Sequence, residues 1–165
     1  MVEAPRDFVE LFRSLAAHKV EYLVVGAYAV AFHGYPRFTG DLDIFSNPDP
    51  DNARRLLAAL DEFGFAGLGL VPEDFSAPDR LVSLGYPPER VDIVSAIDGV
   101  SWKEAWKGRF PGSFGGAEVF FIGRAELLKN KRATGRPQDR IDADALDADN
   151  LMAPPLPPLG DVAVP

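Results

Sequence analysis

The chain has 165 residues, enough for one domain with a proper core and too few for two comfortable ones. Its formal charge of −8 argues against broad, nonspecific nucleic-acid binding, which depends on neutralising phosphates. It has no cysteine, which excludes disulfides and thiolate metal sites, and no apolar run long enough to span a membrane.

In chain order, Phe8, Leu11, Phe12 and Leu15 recur at helical spacing and predict an amphipathic helix over 6–18. The start of the chain, MVEAPRDFVELF, places acids early and lacks a basic-then-apolar leader. No signal peptide is expected, and the cytoplasm is the expected location. EYLVVG (21–26) reads as a buried strand, and the alanine-rich AYAVAFHG (27–34) as a short helix closed by Gly34. YPRFTG is a loop and DLDIFS a second strand. The segment from Asn47 predicts the clearest helix of the chain, with Ala53, Leu56, Leu57, Leu60 and Phe63 on one face.

The stretch 64–79, rich in glycine and proline, reads as a weak strand and loop. RLVSLGYPPERVDIVSAI (80–97) predicts two strands joined across YPPE. Ser101 and Glu104 form a capping box that starts a short helix, on which Trp102 and Trp106 are packing residues. PGSFGG reads as a flexible turn, AEVFFIG (117–123) as a strand, and 124–132 and 137–148 as two helices. The order predicts an α+β (mixed α/β) domain over 1–150 with a small mixed central sheet flanked by helices. The proline-rich remainder, 151–165, predicts an extended or disordered tail.

The chemistry concentrates in Asp41-Leu42-Asp43-Ile44-Phe45. Positions i and i+2 of a strand share a face, so Asp41 and Asp43 point the same way while Leu42 and Ile44 point into the core. Two such carboxylates repel each other unless a cation lies between them. Mg²⁺ suits hard oxygen ligands and keeps phosphate oxygens in its shell. Asp92, alone in the apolar RVDIVSAI, supplies a third acid. Three acids on adjacent strands suit two metal ions about 3.5–4 Å apart, the clamp used in phosphoryl and nucleotidyl transfer. The plain alternatives are an outward-facing charge pair that blocks edge aggregation and a surface salt-bridge partner.

The surrounding pattern resembles the DNA polymerase β-like nucleotidyltransferase superfamily. Val25-Gly26-Ala27 is followed by thirteen residues and then Asp41-Leu42-Asp43-Ile44. More narrowly, YLVVGAYAVAFHGYPRFTGDLDIF, RVDIVSAIDGVSWKEAW and LLKNKRATGRPQDRIDADAL resemble small bacterial minimal nucleotidyltransferases and AbiEii-type toxins. The resemblance covers roughly residues 20–148 and implies a nucleotidyltransferase fold.

It further implies a metal-dependent enzyme that moves an NMP from Mg–NTP, ATP first, to a hydroxyl of a protein, tRNA or small molecule, releasing pyrophosphate. By this resemblance Asp41, Asp43 and Asp92 are the catalytic and metal-binding residues, holding two Mg²⁺ ions, with Asp92 the base. Gly26 and Ala27 cradle the nucleotide phosphates. Arg37, Thr39, Lys129, Lys131 and Arg132 are further candidates for nucleotide binding. Ala27 departs from the usual Gly or Ser, which leaves a noncatalytic module gripping a helical protein partner, as in a toxin–antitoxin-like pair, as the alternative. His33 reads as a helix-end cap.

Overall fold

Tyr22-Leu23-Val24-Val25 is buried at every position, which fits a strand covered on both faces at the centre of a sheet. In the computed structural model, which describes residues 6–35, 40–86 and 89–148, this strand (β1, Tyr22–Val25) has a neighbour on each side. It pairs antiparallel with β2 (Leu42–Ser46) and parallel with β6 (Ala117–Phe121). β2 pairs parallel with β4 (Val91–Val94), and β3 (Leu81–Leu84) closes that side antiparallel to β4. β5 (Phe110–Phe114) closes the other side antiparallel to β6, giving one six-stranded mixed sheet in the order β3-β4-β2-β1-β6-β5.

Helices flank the sheet. In α1 (Arg6–Ala17) the apolar stripe predicted from spacing is the buried one: Phe8, Leu11, Phe12 and Leu15 are all within 1 % of full burial. Phe12 stacks on Tyr22, and Phe8, Phe12 and Tyr28 all meet Phe114. α2 (Gly26–Phe32) follows β1 without a break. α3 (Pro50–Leu60) begins at Asp49, whose carboxylate accepts hydrogen bonds from the Asp51 and Asn52 backbone amides, with Pro50 in the first turn. Buried Asn52 then accepts from the Glu21 amide and donates to the Glu21 and Asn47 carbonyls, which fixes α3 to the entry of β1. The remaining helices are α4 (Glu73–Ser76), α5 (Trp102–Lys107), α6 (Arg124–Thr134) and α7 (Pro137–Ala148). Among the described residues no helix is long and apolar enough to cross a membrane.

Two expectations are corrected. The stretch 64–79 holds no strand: a wide turn over 61–65 leads to a loop and the single turn of α4. PGSFGG, expected as a flexible turn, is a turn only at its end. Its first part lies in β5, and Gly115-Gly116, both at positive φ, close a two-residue hairpin onto β6. Pro111 and Gly112 disguise the strand, but an edge strand tolerates proline. At Gly112 an added Cβ would lie 2.7 Å from the Phe32 ring and 2.9 Å from that of Phe121, so the backbone here packs on aromatic faces. The tail over 151–165 and the middle of the YPPE turn lie outside the described residues.

Candidate active site

The sheet register assembles the site. Val25 stands opposite Asp43, Asp43 opposite Asp92, and Asp92 opposite Ser83, so four strands place these side chains in one row on one face. The alternate positions Leu42, Ile44, Val91 and Ile93 are buried on the other face, which locks the register: a slip by one residue would bury the acids. Asp41 immediately precedes β2. Arg90 immediately precedes β4, and its carbonyl accepts from the Leu42 amide.

Around the carboxylates, Ser83 Oγ donates to Asp92 Oδ1 at 2.7 Å. Arg90 Nη2 donates both to Asp41 Oδ2 at 2.9 Å and to Asp92 Oδ2 at 3.2 Å. Burial, with the neighbouring Asp92 and Asp41 charges, pushes the Asp43 carboxyl up to about 6, against the pull of Lys131 and Arg90. Gly26 explains how Asp43 fits. At φ +67° it has the left-handed backbone that glycine tolerates, and an added Cβ would lie 2.2 Å from Asp43 Oδ2.

Gly26→Ala is therefore expected to expel the Asp43 side chain and add about 1–2 kcal/mol of backbone strain. Chemical denaturation would show the loss.

The row faces a cleft of about 570 Å³, within the range of small-molecule sites. Gly26, Ala27, Asp41, Asp43, Arg90 and Asp92 line one wall; Asn130, Lys131, Thr134, Arg136, Gln138 and Asp139 line the other. This second wall belongs to α6, α7 and the turn between them. Its centre is Lys131, whose Nζ reaches Asp139 at 2.9 Å and Asp142 at 3.4 Å with all three side chains buried. Thr134 and Arg136 also donate to Asp139.

Lys129, Lys131 and Arg132 are each matched by acids within the chain. Lys129 pairs with Glu104 and Arg132 with Asp147, both on exposed surface and neither lining the cleft. Lys131 lines it, already engaged by two carboxylates. Arg37 and Thr39 lie outside the described residues. His33 stands at the C-cap of α2 and is buried, its ring paired with the Ile122 carbonyl at 2.8 Å. Trp102 and Trp106 stack on each other and pack against Phe45 and Phe120 respectively.

Arg90 and Ser83 were not singled out from sequence, although a hairpin centred on YPPE pairs Ser83 with Asp92 and invites the connection. Arg136, also on the cleft wall, gave no comparable signal.

The donor set suits a hard divalent cation: carboxylate oxygens side by side on one sheet face, with glycine backbone packed against the central acid. As they stand, no three acidic, histidine or cysteine side chains among the described residues are gathered as an ion site. The spacing of Asp41 and Asp92 is that of two groups bridged by a guanidinium.

No protein-family model matches the sequence, and no curated protein matches it. Solved structures do. A Thermotoga maritima protein designated a nucleotidyltransferase superposes with a TM-score of 0.56 at 18 % identity, over 87 % of this chain and 89 % of that one. The lincosamide antibiotic adenylyltransferase LnuA, bound to lincomycin, gives 0.52 at 11 % identity, over 88 % and 98 %. The antibiotic-resistance factor ANT(2'')-Ia gives 0.52 at 12 % identity, over 88 % and 82 %. The mixed sheet and its flanking helices are those of the nucleotidyltransferase fold.

Proposed function

We propose that the protein is a metal-dependent nucleotidyltransferase that transfers an NMP from an NTP, ATP first, to an acceptor hydroxyl. The observation that carries the reading is the register that sets Asp43 beside Asp92, against Gly26 and at the wall of the cleft. Asp41, Asp43 and Asp92 would hold two Mg²⁺ ions, which supply Lewis-acid neutralisation of the triphosphate charge. Gly26 and Ala27, at the opening of α2, offer small backbone surface against which phosphates can approach.

Asp92 is suited to receive the acceptor's proton, since Ser83 and Arg90 orient its carboxylate from two sides. The acceptor oxygen bonds to the α-phosphorus, the α–β bridging bond breaks, and pyrophosphate leaves. Catalysis rests on positioning and charge rather than on a covalent enzyme intermediate. With a net charge of −8 on the chain, a protein or a cationic small molecule suits the acceptor role better than RNA. LnuA and ANT(2'')-Ia keep a small-molecule acceptor in view. The small minimal-nucleotidyltransferase and AbiEii-like group is the subgroup in which this reading places the chain, with the cytoplasm as its location.

The test is incubation of the protein with Mg²⁺ and each α-³²P-labelled NTP in the presence of fractionated cell extract. Label appearing on one component, with equimolar pyrophosphate and none from the Asp92→Asn variant, supports the reading. Label transfer undiminished in Asp92→Asn contradicts the assignment of Asp92.

A further inference from the structure

A cation already sits between two of the three acids. Arg90 Nη2 lies where Asp41 Oδ2 and Asp92 Oδ2 converge, 2.9 and 3.2 Å away. A single nitrogen serves both carboxylates, whereas an arginine built into a permanent ion pair normally engages a carboxylate through two parallel N–H bonds. The edge that carries Nη2 is only half used: Nε, beside it, is buried and has no hydrogen-bond partner among the described residues, an arrangement that costs desolvation without return. The side chain is 38 % exposed, so it has a path out of the cluster that needs no rearrangement of the core.

Metal geometry is incompatible with this arrangement. Mg²⁺ binds oxygens at about 2.0–2.1 Å, much closer than Nη2 lies, so a divalent ion held by both Asp41 and Asp92 would compete with the guanidinium for the same oxygens. The ion and the guanidinium are alternatives at these two oxygens. Resting on the metal-site reading above, we infer that Arg90 is a resident counter-charge that holds Asp41 and Asp92 in the metal-free protein and must release them before a divalent ion binds. Arg90 is therefore a positioning residue that sets the metal affinity of the site. The apparent dissociation constant equals the intrinsic one divided by the fraction of molecules in which the arginine is released.

Mn²⁺ alone, titrated calorimetrically into wild type, Arg90→Gln, Arg90→Lys and Asp43→Asn at a pH of about 8, tests this. An arginine engaged about nine-tenths of the time makes Arg90→Gln bind Mn²⁺ about tenfold more tightly than wild type. Arg90→Gln should also unfold at a lower temperature without metal and recover the difference at saturating Mn²⁺. Arg90→Lys keeps the charge and should remain within about threefold of wild type. Equal or weaker Mn²⁺ binding by Arg90→Gln overturns the inference, and it does so without touching the metal site if Asp43→Asn has lost binding. Undiminished binding by Asp43→Asn overturns the metal site itself and this inference with it. A measurement on the wild type needs no variant to fold: the Arg90 Nε–H resonance should move in step with Mg²⁺ binding. A resonance unmoved at saturating Mg²⁺ overturns the displacement.

Discussion

Replacing Lys131 with methionine is expected to destabilise the protein by about 3–5 kcal/mol, because the change removes one partner of a buried ion cluster. Methionine roughly preserves the volume of the side chain, so lost packing contributes little. What it leaves are Asp139 and Asp142, with side chains only 6 % and 4 % exposed, facing each other without the ammonium that bridges them. The cluster is one of the ties between α6 and α7, beside the Arg124 bonds to the Leu146 carbonyl and the Arg132–Asp147 pair, and it builds the second wall of the cleft.

The same cluster sets an acid limit. Burial alone would raise the Asp139 carboxyl, but hydrogen bonds from Thr134, Lys131 and Arg136 outweigh it and hold the group at about 2, below its ordinary 3.8. A depressed folded-state value stabilises the protein above the unfolded value, and the contribution disappears as pH falls through the folded one. About 2 kcal/mol of stability should therefore be lost between pH 4 and 2 in the wild type, and less in Lys131→Met. Urea denaturation of both proteins at pH 7 and through the acid range measures the two effects together. A loss below about 1 kcal/mol at neutral pH would show the cluster to be dispensable.

Asp43→Asn has effects of opposite sign on stability and activity. Asp43 titrates at about 6 rather than 3.8, so its protonated form is favoured by folding. The stability gained is complete below the unfolded value and is lost as pH rises through 6. At neutral pH the ionised group carries a penalty of up to about 3 kcal/mol in the metal-free protein. Asparagine abolishes that penalty, so the variant should be the more stable protein above pH 6 and approach the wild type near pH 4. Nucleotidyl transfer should nonetheless fall by at least about 10²–10³-fold, the scale on which loss of a preorganised charge-stabilising group is felt. The gain in stability follows from burial and the neighbouring charges alone, so the fall in rate is what separates a metal-binding aspartate from a structural one.

The parts of this molecule that could be read in advance are those governed by local spacing. The alternation in LDIF and VDIV already sorts acids from core residues, and the structure buries Leu42, Ile44, Val91 and Ile93 accordingly. The short connection from β1 into α2 was visible in the glycine that ends VVG and the alanines after it. β5 was hidden because its Pro111 and Gly112 are poor strand formers, tolerated only because the strand is an edge stacked on Phe32 and Phe121.

The role of Lys131 was hidden for another reason. Charges on two helices meet only once the helices pack, and the acids that neutralise it lie eight and eleven residues later, on the next helix. Arg90 combines both cases. Its place two residues before Asp92 was plain, yet its bond to Asp41 spans 49 residues and depends on the parallel pairing of β2 with β4.

Thermal unfolding of wild type and Asp43→Asn, each with Mg²⁺, with NTP, and with both, tests the central claim most directly. A ligand at about 100 times its dissociation constant stabilises by about 2.7 kcal/mol, a shift of several degrees in a domain of this size. The account predicts a shift in the wild type that requires Mg²⁺ and nucleotide together and is absent from Asp43→Asn. An equal shift in both proteins, or none with any nucleotide, would contradict the carboxylate row as a metal–nucleotide site.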